Sequence, residues 1–320
     1  MTVSLLLALG AGSQQALADK PVRAGTGKGY CTTLSGAAGT EWDICDDIRT
    51  TNGLPTGGTC TTGAAGSGAG IQDASNPVTG DAFDNAGQLW VNGTQVGGIA
   101  TFTGNRVDFA AQSIAGLTAS IRLDVLTSSP TTRILLTLSN PGSSAISVPV
   151  DYATNFGSDG STLIRATSSG DTAFTTADRW MISSETQDDT DPVNTTVIWG
   201  GNPPVTPQSV SNTVFDCADT QGALARFPVT VPAGGSISLL FFQRIDETTA
   251  NAQAAVSAWD NVVPGSPLLD GITAGQFASV VNFNGTPPRP VSVPVNPAWA
   301  MLGLILGLGL LGALAVSRRS

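Results

Sequence analysis

Short runs in which apolar and polar residues alternate recur along the middle of the chain, separated by glycine, proline and asparagine. Alternate residues are apolar over 121–125 and again over 146–152, which is the two-residue period of a strand with one buried face. Similar strand-like segments cover residues 89–92, 99–102, 106–110, 133–138, 224–231 and 237–242. Short strands with turn residues between them predict a mainly β protein, built as an antiparallel β-sandwich.

Two connections in this region carry explicit turn residues. The Asn-Pro-Gly sequence at 140–142 lies between Leu138 and Ile146, which bracket it as the ends of a hairpin would. The Pro-Ala-Gly-Gly sequence at 232–235 stands in the same position between two later strands. Both connections therefore predict hairpins, and the simplest fold is a meandering sandwich.

The pattern changes after the last strand, because alanine-rich segments at 247–263 and 273–283 contain few β-branched residues. We predict two short helices there, the first capped by Asp246 or Thr248 and ended by the Pro-Gly pair at 264–265. The helices would pack on the sandwich through Val256, Trp259, Phe277 and Val280.

The first residues resemble a secretory signal. An apolar core at 3–11 is followed by Ala16, Leu17 and Ala18, a small-x-small sequence suited to signal peptidase, so that Asp19 would begin the mature chain. No Lys or Arg precedes the apolar core, which a start codon further upstream would explain. The alternative is a buried N-terminal strand or helix.

Residues 298–316 form an uncharged apolar run that is long enough to cross a bilayer as a helix. Trp299 lies at one end, where an indole prefers the interface, and Arg318 and Arg319 follow the other end. By the positive-inside rule the arginines stay in the cytoplasm, which places everything upstream of the run outside.

These features predict a chain of successive segments. They are a signal peptide at 1–18, a Gly/Thr-rich disulfide-containing region at 19–84, a β-sandwich body at 85–245, a helical extension at 246–283, a Pro-rich tether at 284–297, a transmembrane sorting helix at 298–316 and a basic cytoplasmic tail at 317–320.

The chain has four cysteines, an even number that predicts disulfides in an exported protein. Three pairings are possible. We expect a local bridge between Cys31 and Cys45 and a long-range bridge between Cys60 and Cys217. A metal site is the weaker interpretation, because there is no Cys-x-x-Cys spacing and no histidine.

Charge and composition exclude some classes of function. A net charge of −10 and a pI near 4.3 argue against nucleic acid as a partner, since phosphate binding needs clustered Lys and Arg. The absence of histidine excludes hydrolases that depend on a histidine base. Glycosidase chemistry, which needs only two carboxylates at the right separation, stays formally open.

Two oxygen-rich segments are the candidates for a cation. They contain Asp188, Asp189 and Asp191 in one case, and Asn155 and Asp159 in the other. Oxygen ligands on glycine-containing loops suit Ca²⁺, but neither segment matches an EF-hand. The alternative, which we prefer, is that these are turn residues on a soluble surface and that no cofactor is bound.

The C-terminal tail resembles the IPTL-CTERM class of bacterial sorting signals, relatives of the PEP-CTERM tails. The matching positions are Val293, Pro294, Trp299, Arg318 and Arg319 around the apolar run. The resemblance implies a Gram-negative envelope protein that is processed after export by an exosortase-like transpeptidase, or anchored through residues 298–316.

The body, over about residues 85–283, resembles an uncharacterised secreted β-domain of large bacterial surface proteins. The likeness is carried by the sequences at 155–162, 166–171, 176–180 and 231–235. It implies a two-sheet sandwich related in form to the supersandwich of sugar-processing enzymes, and it brings no activity. Within it, Arg179 and Trp180 form either a surface patch or a buried Trp with a salt-bridged neighbour, and we favour the second.

We therefore predict a non-enzymatic, surface-displayed protein that serves envelope architecture, adhesion or a biofilm matrix. One alternative is a carbohydrate-binding module for an extracellular glycan, which would expose Trp90, Trp180 and Trp199 on one sheet face. A less favoured alternative is a glycan-active enzyme, which would need two Asp carboxylates facing each other in a cleft.

Overall fold

A computed structural model describes residues 31–49, 67–185, 191–201, 203–213, 221–260 and 262–283. In these residues the chain forms 17 strands and two short α-helices. The strands are β1 (Cys31–Ser35), β2 (Glu41–Arg49), β3 (Ser67–Ser75), β4 (Gln88–Val91), β5 (Thr94–Gln95), β6 (Ala100–Thr103), β7 (Arg106–Phe109), β8 (Gln112–Ile114), β9 (Leu117–Val125), β10 (Thr131–Ser139), β11 (Ile146–Asn155), β12 (Leu163–Thr167), β13 (Trp180–Ser184), β14 (Val193–Val197), β15 (Ser209–Ser211), β16 (Gly222–Val231) and β17 (Ser236–Asp246). The helices are α1 (Thr249–Ala255) and α2 (Ala274–Phe277).

The strands form three antiparallel sheets. A nine-stranded sheet has the order β12-β13-β14-β17-β10-β9-β7-β6, with β8 paired to β9 outside this path. A five-stranded sheet has the order β15-β16-β11-β4-β5, and a three-stranded sheet has the order β1-β2-β3. The predicted mainly β, antiparallel sandwich is confirmed.

The main core lies between the nine-stranded and five-stranded sheets. Leu123 and Ile134 of the first sheet and Phe227 of the second are fully buried in it. Tyr152 stacks on Phe241 across the two sheets, with ring centroids 4.1 Å apart. Alternation along each strand directs one face into this core, which is the physical reason for the two-residue period.

The three-stranded sheet shares the same core. Trp42, Ile44 and Ile71 are fully buried, and Trp42 lies 6.2 Å from Phe83 between ring centroids. Hydrophobic packing therefore holds the described part of the Gly/Thr-rich region to the sandwich.

The predicted bridge between Cys31 and Cys45 is confirmed. The two residues face each other in the register of β1 and β2, so the disulfide links neighbouring strands. Cys60 and Cys217 lie outside the described residues.

Both predicted hairpins are wrong. Leu138 is in β10, which pairs with β9 and β17, whereas Ile146 is in β11, which pairs with β4 and β16 in the other sheet. The Pro232–Gly235 turn likewise carries the chain from β16 in the five-stranded sheet to β17 in the nine-stranded sheet. The connectivity is therefore not a meander, because each turn crosses between the sheets.

The two crossing turns stabilise each other. The backbone N–H of Asn140 donates to the carbonyl of Gly235 at 2.9 Å, and that of Gly234 donates to Gly142 at 3.0 Å. The Asn140 amide group also donates to the Val231 carbonyl at 3.1 Å. Gly234 has φ of +63°, a value that favours glycine. The turn residues close one end of the sandwich rather than joining neighbouring strands.

The residues from α1 onwards, 249–260 and 262–283, cover the outer face of the nine-stranded sheet, and we call them the helical segment. Thr248 caps α1 by accepting a hydrogen bond from the Asn251 N–H at 3.2 Å, so one of the two predicted caps is correct. A 3-10 helix, Val256–Trp259, extends α1, and the helical structure ends there rather than at 263.

The second helix is much shorter than predicted. It ends at Phe277, because the backbone beyond it hydrogen-bonds to β17: Ser238 donates to the Ser279 carbonyl, and Val281 donates back to Ser238. The predicted contacts are present, since Trp259, Phe277 and Val280 are buried with Leu240 and Phe242 of β17, and Val256 packs at the edge of this cluster.

No helix of the described residues is long and apolar enough to cross a membrane. The predicted signal peptide at 1–18, the tether at 284–297, the sorting helix at 298–316 and the basic tail at 317–320 lie outside the described residues.

Candidate functional site

The predicted cation ligands lie only in part within the described residues. Asp188 and Asp189 lie outside it, and Asp191 precedes β14. Asn155 ends β11, where its backbone N–H donates to the Asn85 carbonyl at 2.8 Å. Asp159 begins a 3-10 helix further along. Among the described residues there is no group of three or more His, Cys, Asp or Glu side chains that could hold a metal ion.

The three candidate tryptophans lie on different surfaces. Trp90 is on the outer face of the five-stranded sheet, where it is only 4% exposed and packs with Ala153 and Leu224. Trp180 packs beside the helical segment, and Trp199 packs against the main core. They therefore form no common aromatic platform of the kind that the carbohydrate-binding alternative required.

The segment around Arg179 has a structural role. Arg179 forms an ion pair with Asp260 at 2.6 Å and so ties the start of β13 to the end of the helical segment. Asp178 is buried and accepts hydrogen bonds from the Ser169 N–H at 3.0 Å and from the N–H and hydroxyl of Thr175 at 2.8 and 2.9 Å. Burial opposes ionisation of Asp178, but these hydrogen bonds outweigh it and lower its pKa below the usual value. The predicted salt-bridged neighbour is present, whereas Trp180 is half-buried rather than fully buried.

A buried charge network lies on the outer face of the nine-stranded sheet. Arg122 donates to Asp124 Oδ1 at 3.0 and 2.7 Å, and Arg133 donates to Asp124 Oδ2 at 2.9 Å. Arg122 Nη1 also donates to the Gly271 carbonyl at 2.8 Å, and Arg133 donates to the carbonyls of Leu268 and Asp270 at 2.7 Å. Burial lowers the pKa of Arg133, while attraction to Asp124 opposes that shift. The network fastens the helical segment to the sheet.

A small acidic hollow of about 90 Å³ lies on the three-stranded sheet. Asp43 and Asp73 face each other across β2 and β3, and Glu41 lies beside them. Burial, with repulsion from Asp81 and Asp43, raises the pKa of Asp73 although its carboxylate accepts hydrogen bonds from the N–H groups of Phe83 and Ala74. The hollow is smaller than the roughly 300 Å³ at which small-molecule pockets begin, so two facing carboxylates are present without room for a sugar between them.

A larger groove of about 480 Å³ lies at the end of β17, and we call it the Arg244 groove. Arg244 donates to both oxygens of Asp246, with Nε–Oδ2 of 2.7 Å and Nη2–Oδ1 of 2.6 Å. Its Nη1 also donates to the Ser129 hydroxyl at 3.0 Å, which holds the guanidinium plane in place. The pair forms a fixed, flat polar floor.

Three parts of the chain enclose this floor. One side of α1 forms one wall, Pro130 of the β9–β10 turn forms a second, and Thr40 and Asn76 form the third. Asn76 is itself fixed, because its amide oxygen accepts hydrogen bonds from the N–H groups of Val78 and Thr79 at 2.8 and 2.9 Å. The groove is therefore a preformed cavity with both polar and apolar lining.

Sequence reasoning missed Arg244 and considered Asp246 only as a helix cap. A usable signal was present: Arg-x-Asp occurs in β7 at 106–108, in β9 at 122–124 and in β17 at 244–246. Residues two apart on a strand share a face, so each Arg can pair with its Asp. All three pairs form, with donor–acceptor distances of 2.6–3.0 Å.

Comparison with known proteins identifies no family, since no family model and no curated protein matches the chain. Among solved structures, the chain is similar to a galactose mutarotase-like protein from Lactobacillus casei ATCC 334, with 12% identity and a TM-score of 0.42 over 68% of this chain and 100% of that one. It is also similar to an aldose 1-epimerase-like protein from Escherichia coli K12, with 8% identity and a TM-score of 0.42 over 68% of this chain and 99% of that one. A third, aldose 1-epimerase-like protein from Klebsiella pneumoniae has 9% identity and a TM-score of 0.36 over 82% of this chain and 91% of its own. At these values the similarity identifies no function for this chain.

Proposed function

We propose that the protein is exported and displayed at the cell envelope as a non-catalytic β-sandwich held by its C-terminal tail. The observation that carries export is the disulfide between Cys31 and Cys45. Disulfides persist in oxidising compartments and are rare where glutathione keeps thiols reduced. The bridge links β1 to β2, and two residues of β2, Trp42 and Ile44, belong to the main core. The bridge is therefore part of the folded body.

The sequence after the folded body supports anchoring. Residues 284–297 contain five prolines and one charge, a composition typical of an extended spacer. The apolar run at 298–316 and the arginines that follow it then give the chain a membrane-spanning segment with a cytoplasmic end. In this arrangement the sandwich projects away from the membrane for an architectural or adhesive role.

The use of charge in the body supports a non-catalytic role. Asp124 and Asp178 are buried, but their oxygens accept hydrogen bonds from arginine or backbone groups that hold the fold together. Asp151 is also buried and pairs with Arg226 at 2.6 and 3.0 Å. A general acid or base must exchange a proton with a substrate, and these carboxylates are already occupied by structural donors.

Export is tested by the redox state of Cys31 and Cys45 in cells. Cys60 and Cys217 are replaced by serine so that only this pair remains, and free thiols are alkylated with a mass-tagged maleimide before lysis. We expect the full chain to be unlabelled and a variant lacking residues 2–18 to be labelled at both positions. Labelling of both thiols in the full chain would contradict export.

Anchoring is tested by fractionating cells and measuring the intact mass of the protein. We expect a species that begins at Asp19 and either ends between Pro294 and Trp299 after sorting or keeps its tail in the inner membrane. A matched variant with serine in place of Leu304, Leu306 and Leu308 should lose the membrane association. An unprocessed, full-length species in the soluble cytoplasmic fraction would overturn the proposal.

A further inference from the structure

The Arg244 groove is a cavity that the function proposed above does not use. Its walls come from separate parts of the sequence, and its floor is held by the Arg244–Asp246 pair and Ser129. A volume of about 480 Å³ lies within the range of roughly 300–1,000 Å³ that small-molecule sites occupy.

Two side chains that line the Arg244 groove are available to hydrogen-bond to a ligand. Glu247 and Asn251 are both exposed, and neither side chain hydrogen-bonds to another of the described residues. Arg244 uses three of its five N–H groups on Asp246 and Ser129, which leaves two donors. The groove therefore offers a carboxylate acceptor, an amide that both donates and accepts, and guanidinium donors within one cavity.

The charge of the lining limits the ligand. Arg244 is already neutralised by Asp246, and Glu247 adds a further negative charge. A phosphate or carboxylate ligand would meet this negative charge without an unpaired cation to bind it. Anionic ligands, and nucleic acid with them, are therefore disfavoured.

The groove also has an apolar lining, which includes Ala38 and Ile245. Ala254 and Ala255 lie three and four residues after Asn251, on the same side of α1, and Pro130 lies on the facing wall. These groups give two narrow apolar strips beside the polar floor. The C–H face of a sugar ring can pack on these strips while its hydroxyl groups reach the polar floor.

We propose that the Arg244 groove binds a neutral polyhydroxylated ligand, one or two sugar residues of a glycan, through Arg244, Glu247 and Asn251. Hydroxyl groups both donate and accept, so adjacent hydroxyls of a sugar can pair with planar carboxylate, amide and guanidinium groups at the same time. The site is separate from Trp90, Trp180 and Trp199, which the sequence had suggested for such a ligand. Binding requires neither export nor anchoring, so the purified protein can test it.

The test is saturation-transfer NMR on the full-length chain, kept soluble in a detergent without a sugar headgroup. The probes are D-glucose, D-galactose, D-mannose and N-acetylglucosamine, each titrated singly, with the diamine cadaverine as a cationic probe. We expect at least one sugar to bind and the double variant Glu247→Ala/Asn251→Ala to bind it at least tenfold more weakly, which corresponds to about 1.4 kcal/mol.

Matched variants show whether the sugar binds in the groove or elsewhere on the protein. Gln253→Ala changes another exposed amide of α1 that does not line the groove, and it should bind as the unchanged protein does. Glu247→Gln should weaken sugar binding less than Glu247→Ala, because an amide oxygen still accepts a hydrogen bond. The proposal is overturned if no sugar binds, if the double variant binds normally, or if cadaverine alone binds and is lost in Glu247→Gln.

Discussion

The two faces of the nine-stranded sheet bury very different groups. The inner face, towards the five-stranded sheet, carries apolar side chains such as Leu123 and Phe241. The outer face carries an apolar patch around Phe242 under the helical segment, and beside it the network of Arg122, Asp124 and Arg133. One sheet is thus held on one side mainly by apolar packing and on the other by packing together with buried charge.

The outer face also shows how a covering segment of the chain changes the solvent exposure of an Arg–Asp ion pair. The pairs Arg106–Asp108 and Arg122–Asp124 stand on neighbouring strands with the same Arg-x-Asp spacing. The side chains of the first pair are 45% and 41% exposed, whereas those of the second are both 10% exposed. The difference is the segment around Gly271, whose carbonyl accepts from Arg122. A polar strand position is therefore not by itself a solvent position.

The largest expected effect compares two neighbouring residues of β17 that point to opposite faces. Phe241→Ala removes the ring that stacks on Tyr152, and Phe242→Ala removes the ring beside Trp259 and Phe283. Each change leaves a cavity and should lower the free energy of unfolding by about 3–5 kcal/mol, measured by urea denaturation.

Hydrogen exchange distinguishes the two faces. In Phe242→Ala the amides of residues 259–283 should exchange faster than those of the five-stranded sheet, because the helical segment loses its apolar contact. In Phe241→Ala the order should reverse. Equal acceleration of both regions in both variants would show that the faces are not separately stabilised.

The second prediction concerns Arg133, which is fully buried. Arg133→Met removes one partner of Asp124 and leaves the carbonyls of Leu268 and Asp270 without their donor. Breaking a buried pair from one side costs about 3 kcal/mol or more, so urea denaturation should show a loss of that size. The double variant Arg133→Met/Asp124→Asn should be less stable still, because it also leaves the buried Arg122 guanidinium without its carboxylate partner. A double variant as stable as Arg133→Met, or more stable, would contradict this role of Asp124.

Much of the fold was predictable because strand alternation is a local signal. The segments around β4, β6, β7, β10 and β16 were located within about two residues, and the apolar contacts of the helical segment were named correctly. The Cys31–Cys45 bridge was predictable for a similar reason, since both residues lie in one short region of the chain.

The crossing turns show where local reasoning stops. The residues at 140–142 and 232–235 specify that the chain reverses, but not which sheet the next strand joins. That choice depends on pairings such as β10 with β17, whose residues are about a hundred positions apart in sequence. Burial of both faces also hides the usual alternation in these strands.

The groove was not predictable for a related reason. Arg244 and Asp246 are visible as an Arg-x-Asp pair, but Pro130, Thr40 and Asn76 come from distant loops. Only the fold shows that these loops meet at the end of β17. The Arg-x-Asp spacing could have located the floor of the site, but not its walls.

The third prediction tests a polar cluster on the inner face. Gln243 donates to the Tyr152 hydroxyl at 2.6 Å and to the Thr154 hydroxyl at 2.7 Å. Tyr152→Phe removes one of these bonds, and the loss in the free energy of unfolding should be about 1–1.5 kcal/mol at pH 8.

The pH dependence of the free energy of unfolding provides a second test of Tyr152. Burial raises the pKa of Tyr152 to about 12 from an ordinary value of 10.0. Above pH 10 the unfolded chain loses this proton while the folded chain keeps it, so stability falls as pH rises, by up to about 1.4 kcal/mol per pH unit. Tyr152→Phe should lack this contribution between pH 10 and 11. Parallel stability curves for the two proteins over that interval would contradict a buried, protonated Tyr152.

The smallest expected effect is at the exposed ion pair, Arg106–Asp108. Arg106 donates to Asp108 at 2.7 Å, and this hydrogen bond raises the pKa of Arg106, but both side chains are in contact with water. An exposed ion pair contributes little because water and salt screen it, so Arg106→Met should change the free energy of unfolding by less than about 0.5 kcal/mol in 0.15 M salt. The substitution is the same one made at Arg133, on the same face of the same sheet. A loss at Arg106 as large as that at Arg133 would mean that burial under residues 268–271 is not what makes the charge network important for stability.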